Sequence, residues 1–344
     1  MTDPTRTSLR CPRCAAPLSA PSDAEATCSR GHTWPVVAGI LDCRTELTGF
    51  DAEADRRHAE ELATRSEEPF PELLQSYWAR TGLPPKLTER YVRGDLIGGE
   101  RARQVVHQIR EMTGGDLGSI VLEVGAGTAA LGAALSPHVS WVVVTDVSLA
   151  WLVLARRRLQ ETGRTNWSLL AATADALPFR DDAFDLIVAA DVIEHVPDPE
   201  AMIDEGVRLL RPEATLWLST PNRFSLTPEP HVRVWGVGLL PRRLAPTYVR
   251  LVRGVPYEDI RTLSYLGLRR LTKRPETTTS IQAPRIPDAV VSTYSRWARL
   301  LIRLYHLAIR APVLNRVLLV VSPLFHVTVT RRGVPEPPDL PTAR

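Results

Sequence analysis

Short apolar runs that end on glycine or on an acid recur through the middle of the chain. Val121-Leu-Glu-Val124 runs into Gly125-Ala-Gly127, and Trp141-Val-Val-Val-Thr145 ends on Asp146. Phe184-Asp-Leu-Ile-Val-Ala-Ala190 ends on Asp191, and Thr215-Leu-Trp-Leu-Ser-Thr220 runs into Pro221. Consecutive apolar positions over such lengths predict strands buried on both faces of a parallel sheet. Helical spacing predicts helices over 51–65, 87–111, 199–210 and 256–271, and again before the last strand. Two further strands are expected at 277–283 and 325–330. Strands alternating with helices in this way indicate an α/β fold.

The strand ends carry the candidate chemistry. Glycines after the first run let a ligand come close to the backbone, and an acid ending the next run can take the two hydroxyls of a ribose. Gly125 and Gly127 with Asp146 therefore point to an adenosine-containing cofactor. Gly125-x-Gly127-x-x-Ala130 also satisfies the dinucleotide fingerprint. Three features separate the two cases. Glu123 stands two residues before Gly125, where a carboxylate repels a pyrophosphate and attracts a cationic amino acid group. Asp175, followed by Ala176, is placed at a strand end to accept from an adenine amino group. Asp191 ends another buried strand and leads into Val-Ile-Glu194-His195-Val-Pro-Asp-Pro199.

This succession resembles the class I S-adenosylmethionine (SAM) methyltransferases over about residues 100–222, and more loosely to 331. The resemblance implies a Rossmann-like, seven-stranded, mostly parallel sheet with helices on both faces and SAM across the carboxyl ends of the strands. It implies that Glu123, Gly125 and Gly127, with Ala126 between the glycines, surround the methionine portion of the cofactor. Asp146, with Val147 beside it, would hold the ribose, Asp175 and Ala176 would meet the adenine, and Asp191 would lie near the sulfonium. Ala129 departs from the pattern, standing where many members have a third glycine. Thr220-Pro-Asn-Arg223 is similar to the ubiquinone-biosynthesis O-methyltransferases and their small-molecule relatives.

With 344 residues, 44% of them hydrophobic, the chain has material for a sizeable core and more than one average domain. Mean hydropathy of −0.09 fits a soluble globular protein. The first twenty residues lack an apolar core, so no secretory signal is expected and the cytoplasm is the default location. The longest uncharged apolar stretch, 317–330, is interrupted by Ser322-Pro323 and falls short of the roughly twenty residues a bilayer crossing needs.

All four cysteines lie in the first 43 residues. Cys11-Pro-Arg-Cys14 and Cys28-Ser-Arg-Gly-His32 together supply three thiolates and an imidazole, the donor set of a closed structural zinc site. Cys43 is an alternative to His32 as fourth ligand. Residues 9–42 resemble the small zinc ribbons that open some bacterial methyltransferases. A similar module in the ribosomal RNA guanine-N1 methyltransferases serves RNA recognition, which keeps RNA as an alternative substrate.

The expected organisation is a zinc ribbon over 1–44, a helical segment covering the pocket over 45–112, and a SAM-binding core over 113–222. A substrate lid with a helix and sixth strand follows over 223–288, then a basic amphipathic helix and last strand over 289–332, and a disordered tail over 333–344. His195, just past the fourth-strand acid, and His231, in the lid, are the candidate bases for deprotonating a hydroxyl acceptor. No Asp/His cluster points to a catalytic divalent metal, although Asp191 or Glu194 leaves a place for Mg²⁺. The net charge of +3 divides unevenly, −10 over residues 1–221 and +13 over 222–344. Arg296, Arg299, Arg303, His306 and Arg310 recur at helical spacing on one face. That face is either simply solvated or meets an anionic membrane or RNA phosphates. The preferred partner is a small hydroxylated acceptor such as a quinone, glycoside or lipid-linked metabolite, with oligomeric state left open.

Overall fold

The computed structural model describes residues 3–4, 8–45, 49–83, 85–285, 291 and 296–333. It opens with three short strands, β1 (Glu25–Thr27), β2 (Thr33–Val37) and β3 (Ile40–Asp42), followed by four helices. These are α1 (Ala52–Ala63), α2 (Phe70–Ala79), α3 (Pro85–Leu96) and α4 (Gly98–Met112). The alternating unit comprises β4 (Ile120–Val124), α5 (Ala130–Leu135), β5 (Trp141–Asp146), α6 (Leu149–Glu161), β6 (Trp167–Ala171), β7 (Phe184–Ala190), α7 (Pro199–Leu209) and β8 (Leu210–Pro221). Beyond it lie α8 (Ala245–Arg253), α9 (Tyr265–Leu271), β9 (Thr277–Gln282), α10 (Arg296–Arg310), α11 (Pro312–Val321) and β10 (Leu324–Arg331).

The strands form one sheet in the order β1-β2-β3-β6-β5-β4-β7-β8-β10-β9. Pairing from β3 through β8 is parallel, while β10 runs antiparallel to both β8 and β9. Seven strands, from β6 to β9, make the expected methyltransferase sheet, and the amino-terminal hairpins lengthen it. Leu41 pairs with Leu170 and Asp42 with Ala171, so the ribbon is the sheet's own edge. The chain winds outward from β4 in one direction and resumes at β7 in the other. Their carboxyl ends therefore form the topological switch point where ligands bind in open α/β sheets.

Alternation along the central strands divides the core in two. Val121, Val142, Val144 and Val188 pack under α1, α2, α4, α5 and α6. Leu122, Val143, Ile187 and Leu218 face α7 and α9 together with ribbon residues Leu9, Trp34 and Cys43. Both faces are covered, which explains why the strands are apolar at consecutive positions.

Several elements differ from the sequence expectation. The helix expected over 87–111 is divided at Ile97, just before the helix-weakening Gly98-Gly99 pair. Helix α2 was not anticipated; it begins after Pro69 with Pro71 in its first turn, where proline's missing N–H costs nothing. The helix expected over 256–271 shortens to α9, started by the Ser264 side chain accepting from the Gly267 N–H. The insertion read as a lid contains α8 and a small core of its own around Val234, Val237, Val249 and Tyr257. A second helix, α11, begins at Pro312 directly after α10. The tail expected to be disordered lies, beyond Gly333, outside the described residues.

One buried ionic cluster joins these layers. Arg44, just past β3, donates to both carboxylate oxygens of Asp42 and to Asp55 of α1 at 2.7–2.8 Å. Its guanidinium also reaches the Val147 carbonyl at 2.9 Å. Asp55 in turn accepts from the Ser148 hydroxyl at 2.6 Å and from the Leu149 N–H at 2.8 Å, satisfying donors at the start of α6. Burial opposes the Asp42 charge, but Arg44, helped by Arg56, holds its carboxyl below the ordinary range. A depressed carboxyl stabilises the fold above its ordinary pKa and loses that contribution as pH falls through the folded value. Arg44→Ala leaves two buried carboxylates short of their cation, and the expected loss is about 3–5 kcal/mol of unfolding free energy in urea titrations at pH 7. A loss below about 1 kcal/mol would assign the network no holding role.

Candidate active site

Backbone geometry after β4 builds the first half of the site. Gly125 has φ +64°, and a Cβ there would stand 2.5 Å from a methyl of Val192, so the loop can cross the end of β7 only without a side chain. Gly127 has φ +52° with nothing within 4 Å of where its Cβ would be, leaving space above the turn. The Ala126 N–H is spent on the Thr145 carbonyl at 3.0 Å, which anchors the loop to β5. Ala129 adopts φ +52° at the start of α5 and is fully buried. The residue in the third-glycine position thus takes the left-handed backbone that glycine would adopt with less strain.

Asp146 closes the loop from the neighbouring strand. Its two carboxylate oxygens accept from the Gly127 and Ser148 N–H groups, each at 2.8 Å. Burial raises its pKa, partly offset by these N–H donors. Each oxygen retains a further lone pair for a hydroxyl. Val147 beside it is half-buried, with its carbonyl held by Arg44. Asp175 and Ala176 are also half-buried, past the end of β6, and the Ala176 N–H bonds the Thr173 carbonyl at 3.2 Å.

Glu123 sits deeper than its expected role required. Its side chain is buried and accepts from the Gly132 N–H at 2.9 Å, beneath the loop at the first turn of α5. Burial pushes its pKa up to about 8, with Asp146 adding to the shift. The unliganded carboxyl therefore holds a proton at neutral pH, and the charge expected to attract an ammonium group is absent until a cation arrives. Nothing in the apolar strand sequence could show this, because desolvation depends on the helices packed above it.

The second half of the site lies past β7 and β8. Asp191, exposed and in the left-handed region at φ +57°, accepts from the Ser219 hydroxyl at 3.0 Å. The turn it makes sends Glu194 into the core, where Thr220 donates to one oxygen at 2.9 Å. The other oxygen, Oε1, is buried without a hydrogen-bond partner and lies 3.9 Å from His231 Nε2. Burial and the nearby Asp191 raise Glu194 to about 7.

His195 and His231, distant in sequence, meet with their Nε2 atoms 3.2 Å apart. Glu229 takes a hydrogen bond from His231 Nδ1 at 2.6 Å. Partial burial and the neighbouring His231 lower the pKa of His195. Burial works the same way on His231, but Glu229, Glu194 and Asp191 outweigh it and the pKa rises. The pair is thus polarised into a neutral imidazole and one that readily carries a proton, the usual mark of separate acid and base roles. Donor atoms of Glu194, His195 and His231 lie within 4.8 Å of one another, close enough to hold one cation. Sequence reasoning missed Glu229 and Thr220, whose contacts to His231 and Glu194 are made only in the folded chain.

Arg223 fastens the insertion by donating to the carbonyls of Gly238 and Leu240 at 3.0 and 3.1 Å. A Cβ on Gly238 would collide with the Arg223 carbonyl, so only glycine fits there. A cavity of 370 Å³ lies behind this contact, lined in part by Arg223, Arg242, Tyr257 and Arg261. Phe70, Tyr77, Trp78 and Tyr91 pack within the helical layer. Tyr77 and Trp78 both meet Trp151 of α6, Trp78 stacks on Tyr91, and Phe70 lies under Arg158.

At the amino terminus Cys11, Cys14, Cys28 and His32 converge with their ligand atoms within 4.8 Å of one another. The Cys14–Cys28 sulfur separation is 3.8 Å, matching the edge of a tetrahedron with Zn–S bonds of about 2.3 Å. Cys43 is not in that group; it is fully buried, and burial raises its pKa, keeping the thiol neutral. Burial also opposes the Cys28 thiolate, yet the backbone N–H groups of Arg30 and His32 bring it down to about 6.

The strand order, the glycine loop and the acid ending β5 have the arrangement that the resemblance to the class I SAM-dependent methyltransferases implies. Residues 122–218 match the family model described as a methyltransferase domain. The demethylmenaquinone methyltransferase of Clavibacter sepedonicus is 35% identical over 135 residues, covering 39% of this chain and 53% of that protein. The ubiquinone biosynthesis O-methyltransferase of Coxiella burnetii is 30% identical over 154 residues, covering 45% of this chain and 60% of that protein. The chain thus spans between half and two thirds of the length of these relatives. A SAM-dependent methyltransferase structure from Mesorhizobium loti aligns with TM-score 0.43 and 19% identity over 62% of this chain and 92% of that one.

Two measurements probe the groups placed here. Folding favours the protonated form of Glu123, so this contribution is full below the ordinary value of 4.5 and is lost as pH rises through about 8. Glu123→Gln is expected to flatten the fall of the urea midpoint between pH 4.5 and about 8, and an unchanged slope would show that the carboxyl does not carry that proton. Protein purified without chelator is expected to contain one zinc by elemental analysis, and Cys14→Ser to lose it. Equal zinc in both would remove Cys14 from the ligand set.

Proposed function

We propose that the protein transfers a methyl group from SAM to a hydroxyl of a small hydroxylated acceptor, a quinone, glycoside or lipid-linked metabolite. The observation that carries this reading is the polarised His195–His231–Glu229 chain beside the glycine loop. Val192, whose methyl meets Gly125, offers its carbonyl to the His195 N–H at 2.8 Å, so loop and histidine share one turn. Gly125, Ala126 and Gly127 would cradle the methionine portion of SAM over Glu123, Asp146 and Val147 its ribose, and Asp175 and Ala176 its adenine, with Asp191 near the sulfonium. Bound SAM supplies an activated methyl group.

The chain's own residues align the acceptor and manage its proton. His195, neutral at pH 7, takes the hydroxyl proton at Nε2. His231 lies against that nitrogen in the unliganded site and is oriented by Glu229. The names of the relatives cover quinone methylation on oxygen and otherwise, and favour a small acceptor. The RNA alternative finds no support among these relatives, and the ribbon that would serve it is built into the sheet edge. A structural zinc held by Cys11, Cys14, Cys28 and His32 fits that edge role.

Asp146→Ala is expected to abolish SAM binding in calorimetry while circular dichroism stays unchanged; retained affinity would refute the cofactor site. With labelled SAM and an organic-solvent extract of cells as acceptor, His195→Ala is expected to lower turnover by about a hundredfold or more at unchanged SAM affinity. Label entering total RNA instead of the extract would replace the proposed acceptor class.

A further inference from the structure

Helix α10 turns its apolar side outward. Ile302, Tyr305 and Ile309 are half-buried and form the arc that meets the protein, with the Tyr305 hydroxyl donating to the Pro284 carbonyl at 2.8 Å. A further turn of the helix places Trp297, Leu300, Leu301, Leu304 and Leu307 in a single exposed arc. Trp297 is 78% exposed and Leu301 66%. On the remaining arc run Arg296, Arg299, Arg303 and Arg310. The expected solvated basic face is therefore present, but the leucines that an ordinary surface helix turns inward stand beside it in water.

Helix α11 repeats the arrangement. Val313, Leu314, Val317 and Val320 are exposed, while Leu319 reaches the main core. Residues 296–321 contain five arginines and no acid. The carboxyl end of α11 is fastened beside the active site: the Asn222 amide donates to the carbonyls of Val320 and Ser322, each at 2.9 Å, and the Leu226 N–H reaches the Val321 carbonyl at 3.2 Å. Asn222 is two residues from Thr220, the partner of Glu194.

We propose that α10 and α11 form a docking surface for an anionic lipid bilayer. Contiguous exposed apolar surface of this kind marks an interaction site. A second copy of the chain is a poor occupant, because a twofold contact would bring the arginine arcs together with no acid on either helix to neutralise them. A lipid surface answers both arcs at once. Leucines, valines and Trp297 enter the boundary between headgroups and acyl chains, and the arginines meet the lipid phosphates. Among the described residues no helix is long and apolar enough to cross a membrane, so the contact is peripheral. Docking in this way sets the end of β8, and with it the acceptor side of the site, against the membrane. The inference does not rest on the proposed reaction.

The test is co-sedimentation of the full chain with phosphatidylcholine vesicles, with and without phosphatidylglycerol. Binding is expected to the anionic vesicles, with a blue shift of tryptophan emission and release at high salt. Leu301→Asp/Leu304→Asp is expected to lower partitioning by about tenfold or more. Arg299→Gln/Arg303→Gln, which keeps every residue of the apolar arc, is expected to reduce binding and weaken its salt dependence. SAM affinity should remain unchanged in both, which confirms folding and separates this result from the reaction. Wild-type protein that ignores anionic vesicles, or a double aspartate variant that binds them as well as wild type, would overturn the proposal. So would a wild-type dimer that the aspartates dissociate without any vesicle binding, since the surface would then serve self-association.

Discussion

Arg44 pairs with two carboxylates inside the protein, and the relative position of three layers depends on it. Asp42 belongs to the ribbon strand, Asp55 to the first helix, and Val147 to the loop that carries the candidate ribose acid. A buried cation of this kind is costly to desolvate, so its value lies in specifying geometry more than in net stability. Asp55 spends its remaining hydrogen-bonding capacity on the amino terminus of α6, where an acid also complements the helix dipole. Ribbon, helical cover and cofactor loop are thereby held in one arrangement.

The same economy of charge shapes the candidate chemistry. Burial raises the pKa of Glu123, Glu194 and Asp146 alike, and at Asp146 backbone donors offset part of the shift. The two histidines are driven apart in basicity by unequal access to acids. His231 has Glu229 at 2.6 Å, and His195 has the other imidazole as its close neighbour. Charge is thus available at the rim of the site and suppressed beneath it. Such an arrangement suits a reaction in which a neutral base receives a proton near a cationic cofactor.

Much of the central sheet was legible because its signals are local. Val121–Val124 and Trp141–Thr145 are apolar at every position except where a functional group interrupts them, and the glycines and Asp146 follow at the ends. The cysteine spacings likewise brought three thiolates and His32 together, with Cys43 set aside only by its place outside that group. Less regular segments were misjudged. Helix α2 lies among charged residues with prolines at its start, and the lid conceals α8 and a private core behind proline-rich sequence. There the helical signal is short and tertiary packing decides.

What the sequence by itself determined is the α/β core, the order of its strand-end acids and the donor set of the amino-terminal site. These follow from periodicity and from residue types at fixed spacing, which act within a few turns of chain. Only the tertiary structure decided that the ribbon would extend the sheet, that His231 and Glu229 would join His195, and that Glu123 would be protonated. It also decided that the leucines of α10, rather than its arginines alone, would face outward. Each of these outcomes depends on which surfaces are buried against which, and burial is set by long-range contacts that no local pattern encodes.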